Sequence, residues 1–260
     1  MDQLVNEVFV FYLDRALRMG HVLPATISEF SRRRFKNVMD RKIVQEYWRV
    51  GDPMVCSLFL DDLPRAKLPP YFSKQSYQLS VPAGERKGWS DSEKRLTELW
   101  GGVVAIDFLT GNTERLTQSL AQNSLQPKAK RKTQSISLAA CRHADRHVEN
   151  TLWDATGKKL WLVDNNSGMF YDKMGSLAEP ISWILEDVCV FPASLVRELE
   201  AKKNDSELRG LVSLLVNQFE PEGPIQNGVR VKFFHLRFTA LMDHIRKCRQ
   251  LNEGSISFFK

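Results

Sequence analysis

The 260-residue chain contains no stretch of eighteen apolar residues free of charge, so no part of it can cross a bilayer as a helix. Cysteine is scarce: Cys56, Cys141, Cys189 and Cys248 are too few for a disulfide scaffold, and no CxxC or Cys/His spacing suggests zinc. With 14 Gly and 11 Pro there is no low-complexity excess, which excludes collagen-like and disordered classes. The first twenty residues lack a basic n-region and carry Asp2, Glu7 and Asp14 within their apolar stretch, so they do not read as a signal peptide. The expectation is either a cytosolic protein or a fragment of a longer one. No internal repeat is visible. No RNP, zinc-finger or helix-turn-helix pattern accompanies the basic balance, 37 Lys+Arg against 31 Asp+Glu, so nucleic acid is not an expected partner.

The positive charge that is present is localised. Thr117 to His143 holds Lys128, Lys130, Arg131, Lys132 and Arg142 with no acid and reads as a surface loop. From Val229 onward, basic residues interleave with Phe233, Phe234, Leu236, Phe238, Leu241 and Ile245, the pattern of an amphipathic helix with a solvated face. Residues Asp2 to Met19 place Leu4, Val8 and Phe11 at helical spacing before Gly20, and Glu7 lies on that same face, where it points inward or, on the competing reading, is a carboxylate at the helix edge. Met54 to Leu60 reads as a strand, followed by the breakers Pro64, Pro69 and Pro70. Ser90-Asp91-Ser92-Glu93 matches a capping box and starts a helix through Trp100 that Gly101-Gly102 is expected to end. Val103 to Leu109 then reads as a separate buried helix. A turn at Asp154 to Gly157 leads into a strand from Lys159 to Val163, and Pro180 to Cys248 is mostly helical in pattern, with loops near Lys203 and Pro221.

Asp145 followed five residues later by Asn150, then a hairpin and a strand ending at Asp164, is the layout that phosphoryl transfer requires. One Asp can orient or deprotonate a hydroxyl, while the Asn and the second Asp offer hard oxygen ligands to divalent ions that bridge phosphates. Protein kinases use the same logic as HRDxxxxN and DFG. The competing reading is an ordinary strand-end turn, where Asp and Asn are common.

The runs Val163-Asp164-Asn165-Asn166-Ser167-Gly168, Val188-Cys189-Val190-Phe191 and Ile106 to Leu116 resemble the four-jointed kinases, Golgi-resident relatives of the secretory-pathway casein kinases. Asn6 to Arg15 is similar to the family helix whose Glu, here Glu7, contacts the metal-nucleotide complex. The resemblance implies an α+β, protein-kinase-like fold, mainly the helical C-lobe, with residues 1–60 as the remnant of an N-lobe and 61–260 as the C-lobe. It implies an ATP-dependent Ser/Thr kinase of the Golgi lumen or cell exterior that acts on secreted or cell-surface proteins such as cadherin repeats. Asp164, Asn150 and Glu7 would then bind ATP with Mn²⁺ or Mg²⁺. At the family's catalytic Asp this chain has Glu114, and Asp145 is the rival base from local spacing. The family precedes the Glu7 helix with strands bearing a phosphate-covering loop and a lysine, so the expectation is a fragment of a membrane-anchored protein or a truncated relative. The alternative function is a kinase-like module that binds a protein without transferring phosphate. In an oxidising lumen the family counterparts Cys189 and Cys248 become candidates for pairing with each other, or with Cys56 or Cys141. The sequons at Asn165 and Asn204 would matter only in such a compartment.

Overall fold

In the computed structural model, the described residues are 2–31, 49–58, 60, 62–66, 89–112, 150–154, 156–163, 165, 185, 188–202, 204–220 and 234–251. They form five helices and four strands: α1 (Asp2–Ala16), β1 (Ala25–Glu29), β2 (Pro53–Ser57), α2 (Asp91–Thr110), β3 (Thr151–Trp153), β4 (Leu160–Leu162), α3 (Ala193–Glu200), α4 (Asp205–Phe219) and α5 (Phe234–Leu251).

Helix α1 is central. Val8, Phe9, Val10, Leu13 and Leu17 are all buried, together with Asn6 and Asp14, so the helix is enclosed on most of its circumference and not on one stripe alone. It packs against α2, α4 and the β1–β2 hairpin. Phe11, expected on the buried face, is only partly buried and lies under the Arg15 guanidinium at 5.1 Å. Tyr12 donates its hydroxyl to Glu220 Oε1 at 3.2 Å, and Glu220 Oε2 accepts from the Ile27 backbone at 3.3 Å. One carboxylate thus fastens α1 and β1 to the end of α4.

The capping box at Ser90 and Glu93 forms as the sequence implies. The expected break at Gly101-Gly102 does not occur: α2 runs unbroken to Thr110, and the apolar run from Val103 belongs to the same helix. The reason is packing. A Cβ at Gly101 would collide with the Val190 carbonyl, and one at Gly102 with Met19 Cε, so these glycines let other chain segments approach the helix closely. The helix ends instead at Gly111, whose φ of 73° gives the left-handed cap. The strand expected to reach Leu60 stops at Ser57.

Strands β1 and β2 pair antiparallel, as do β3 and β4, the latter in register Thr151↔Leu162. Flanking segments extend the second hairpin through isolated bridges, Val22 beside Leu162 and Arg65 beside Leu152. On α5, Phe234, Phe238, Leu241 and Ile245 are buried, which agrees with the amphipathic reading. Cys189 and Cys248 form a disulfide with Cα atoms 5.3 Å apart, and Cys56 is free. Buried side chains from Val8 to Ile245 belong to a single core that crosses residue 60.

Candidate functional site

Two elements distant in sequence meet at Glu7. Helix α1 presents Glu7 from its second turn, and the chain leaving β4 presents Asn165. Glu7 Oε2 accepts from the Asn165 backbone N–H, and Oε1 accepts from Asn165 Nδ2 at 2.8 Å. Asn165 is only 1% exposed and Glu7 is partly buried, so the carboxylate meets its two donors in a partly shielded setting. The inward orientation expected for Glu7 is therefore accompanied by a defined acceptor role.

The register that brings these residues together is fixed at two points. The His21 carbonyl, just beyond α1, accepts from Leu162 N at 2.8 Å. One residue past the β3–β4 ladder, Val163 N donates to the Asn150 carbonyl at 3.0 Å. Asn150 and Glu7 thus each engage a residue adjacent in sequence to Asp164, namely Val163 and Asn165. Asp164, Asp145 and Glu114, the remaining residues singled out from the sequence, lie outside the described residues. So does the basic run from Thr117 to His143.

Glu7 brings a carboxylate to this junction, and Asn150 reaches it through its backbone carbonyl. Glu7 and the side-chain oxygen of Asn150 are hard ligands of the type Mg²⁺ and Mn²⁺ prefer. Among the described residues the one cluster of three His, Cys, Asp or Glu ligand groups within 4.8 Å is Cys189, His244 and Cys248, and its two sulfurs are bonded to each other and so offer no thiolate to a metal.

The end of α2 carries the second quoted motif. Asp107 is fully buried, and its carbonyl accepts from Asn112 N at 2.7 Å, while Thr110 Oγ1 donates to the Ile106 carbonyl at 2.8 Å. Arg237 of α5 lies over Gly111, donating to the Leu109 carbonyl at 3.5 Å, and burial lowers its guanidinium to about 10. A cation over the helix C-terminus is the arrangement the helix dipole favours.

Two buried groups escaped the sequence reading. Asp14, two turns beyond Glu7, is wholly buried; Oδ1 accepts from His21 N at 2.8 Å and Oδ2 has no hydrogen-bond partner. Burial pushes its carboxyl up to about 6, against the pull of the His21 and Val22 N–H groups. His21 follows Gly20 and has its imidazole pKa lowered, again chiefly by burial. The i, i+7 spacing of Glu7 and Asp14 is the only signal in the sequence that could have flagged Asp14.

The family model described as the four-jointed box protein middle domain matches residues 1–251. The chain belongs to this family. Four-jointed box protein 1 of Mus musculus is 21% identical over 258 residues, a match that covers 95% of this chain and 54% of that protein. The four-jointed chain described here thus spans about half the length of the curated relative it matches. Among the described residues, no helix is long and apolar enough to cross a membrane.

Proposed function

We propose that this four-jointed family protein is an ATP-dependent Ser/Thr protein kinase of the secretory pathway, with a kinase-like fold composed mainly of the helical C-lobe. The observation that carries the reading is the paired hydrogen bonding of Glu7 to Asn165, which ties the helix carboxylate to the residue immediately after Asp164. In the chemistry proposed, Asp164 and Asn150 hold Mn²⁺ or Mg²⁺ on the phosphates of ATP, and Glu7 orients the Asp164 segment while contributing its own charge. The metal would neutralise charge developing on the transferred phosphoryl group. Asp145 or Glu114 receives the proton of the acceptor hydroxyl. The acceptor is a secreted or cell-surface protein, with cadherin-type domains as the class implied by the family. The Cys189–Cys248 disulfide supports folding in an oxidising lumen such as the Golgi.

Glu114, standing where the family carries Asp, supports a second reading. An added methylene displaces the carboxylate, and a misplacement of about 1 Å can cost ~100-fold in rate. On that reading the chain is a kinase-like module that binds a protein partner without transfer. A phosphate-transfer assay with Mn²⁺-ATP and cadherin-repeat or casein acceptors separates the two. Under the kinase reading with Asp145 as base, Asp145→Asn abolishes transfer with little effect on nucleotide binding, whereas Glu114→Gln retains most of the rate. The reverse ranking assigns the base to Glu114. No transfer by the wild-type protein despite nucleotide binding leaves the binding-module reading standing.

A further inference from the structure

A cavity of about 660 Å³ opens at the opposite end of α1 from Glu7. From Glu7 to Ala16, the last residue of α1, is nine positions, roughly 13 Å along the helix axis, so the cavity beyond that end is distinct from the site described above. It forms where the end of α1, the first turns of α2, the β3–β4 turn and the start of α3 meet. Its walls carry five cations, Arg18, Lys94, Arg95, Lys158 and Lys159, against two carboxylates, Asp91 and Glu98.

Three of these cations form no ion pair among the described residues. Arg18 pairs with Glu198 at 3.4 Å and Lys94 with Asp91 at 3.3 Å. Arg95 donates to the Lys158 carbonyl at 3.4 Å and feels the Glu98 charge, and the Lys159 ammonium lies 3.5 Å from the centroid of the Trp161 ring and feels Asp14 and Asp154. Neither they nor Lys158 has a carboxylate within ion-pair distance among the described residues. The three cations without an ion pair repel one another around the hollow, and an anionic ligand relieves that repulsion.

The rest of the lining narrows the ligand's chemistry. His21 is 6% exposed and lines the cavity, and its Nδ1 meets the Leu160 carbonyl at 2.8 Å. A carbonyl only accepts, so Nδ1 carries the proton and Nε2 of the neutral ring is an acceptor. Glu98 is a second acceptor. Met19, Leu99 and Pro192 add apolar surface. A ligand that satisfies all of these has carboxylates for the cations, N–H donors for His21 and Glu98, and apolar side chains for the remaining wall.

We propose that this cavity docks a short acidic peptide segment of a partner protein, in which Asp or Glu alternates with apolar residues. A polysulfated glycan would match the cations but offers nothing to the apolar wall and would be repelled by Glu98. The docking is independent of phosphate transfer, so it stands or falls separately from the kinase reading.

Fluorescence anisotropy with a fluorescein-labelled peptide of alternating Glu and Leu, titrated with the whole chain, tests this directly. The peptide is expected to bind, to weaken as salt rises from 50 to 300 mM, and to lose its affinity when Gln replaces Glu. Arg95→Glu/Lys158→Glu, at two exposed positions, should weaken binding by about tenfold or more while leaving the melting temperature near that of wild type. Lys158→Ala provides a milder second variant, expected to weaken binding severalfold. Equal binding of the Gln peptide, unchanged affinity in both variants, or binding of a heparin fragment with none of the peptide would overturn the proposal.

Discussion

Glu7 and Asp14 lie two turns apart on the same helix, and the protein treats them differently. Glu7 receives two N–H donors from one residue, so its charge is supported by a specific partner. Asp14 is enclosed completely, with one oxygen lacking a hydrogen bond, and its pKa is raised to about 6 from 3.8. A carboxyl with a raised folded-state pKa binds its proton more tightly in the native chain than in the unfolded one. Stability contributed by that proton is present at low pH and is lost as pH rises from about 4 to about 6. The cost at neutral pH is on the order of 1–3 kcal/mol. Asp14→Asn, which keeps an accepting oxygen for His21 N, is therefore expected to raise the melting temperature at pH 7.5 by several degrees, with the gain vanishing near pH 4. Thermal melts of both proteins across that range check it; a variant less stable than wild type at pH 7.5 would show that the charge on Asp14 is supported.

At the scale of elements, the α2 glycines show how tertiary packing overrides a local signal. Ser90 and Glu93 were legible as a cap because both partners lie within one turn. Gly101-Gly102 read as a stop because glycine costs about 1 kcal/mol in a helix interior, and nothing nearby in sequence reveals that Val190 lies against it. Gly101→Ala should accordingly destabilise the fold by about 3 kcal/mol or more despite its better helix propensity, since the added methyl collides with backbone. Gly210, in α4 with open space around it, is the control: Gly210→Ala should stabilise by up to ~1 kcal/mol. Denaturant titrations of the two variants give opposite signs on this account; a stabilising Gly101→Ala would refute the packing explanation.

Across the whole molecule, long-range ties decide what the sequence could and could not reveal. The Glu7–Asn165 contact spans 158 positions, so its first half was visible only as an inward acid and its second half only as a turn residue beside Asp164. The β3–β4 hairpin, closed by Asp154 to Gly157, was legible from its turn chemistry, whereas the register that sets Asn150 opposite Val163 is a structural finding. The Cys189–Cys248 bond closes a loop of 59 residues, for which the chain-entropy model gives about 4 kcal/mol of stabilisation. Family resemblance had made these two cysteines candidates, while their mutual pairing is a structural finding. Residues on both sides of position 60 enter one core.

The proposed metal-nucleotide site comprises Glu7, Asn150 and Asp164, with Glu7 bonded to Asn165. Calorimetric titration of the protein with ATP in the presence and absence of Mn²⁺ tests it most directly. Wild type is expected to bind ATP in a Mn²⁺-dependent manner, Asp164→Ala to abolish that binding, and Glu7→Gln to weaken it by about tenfold or more without loss of the folded state, as judged by circular dichroism. No Mn²⁺-dependent heat with wild type, or binding undiminished in both variants, would contradict the account.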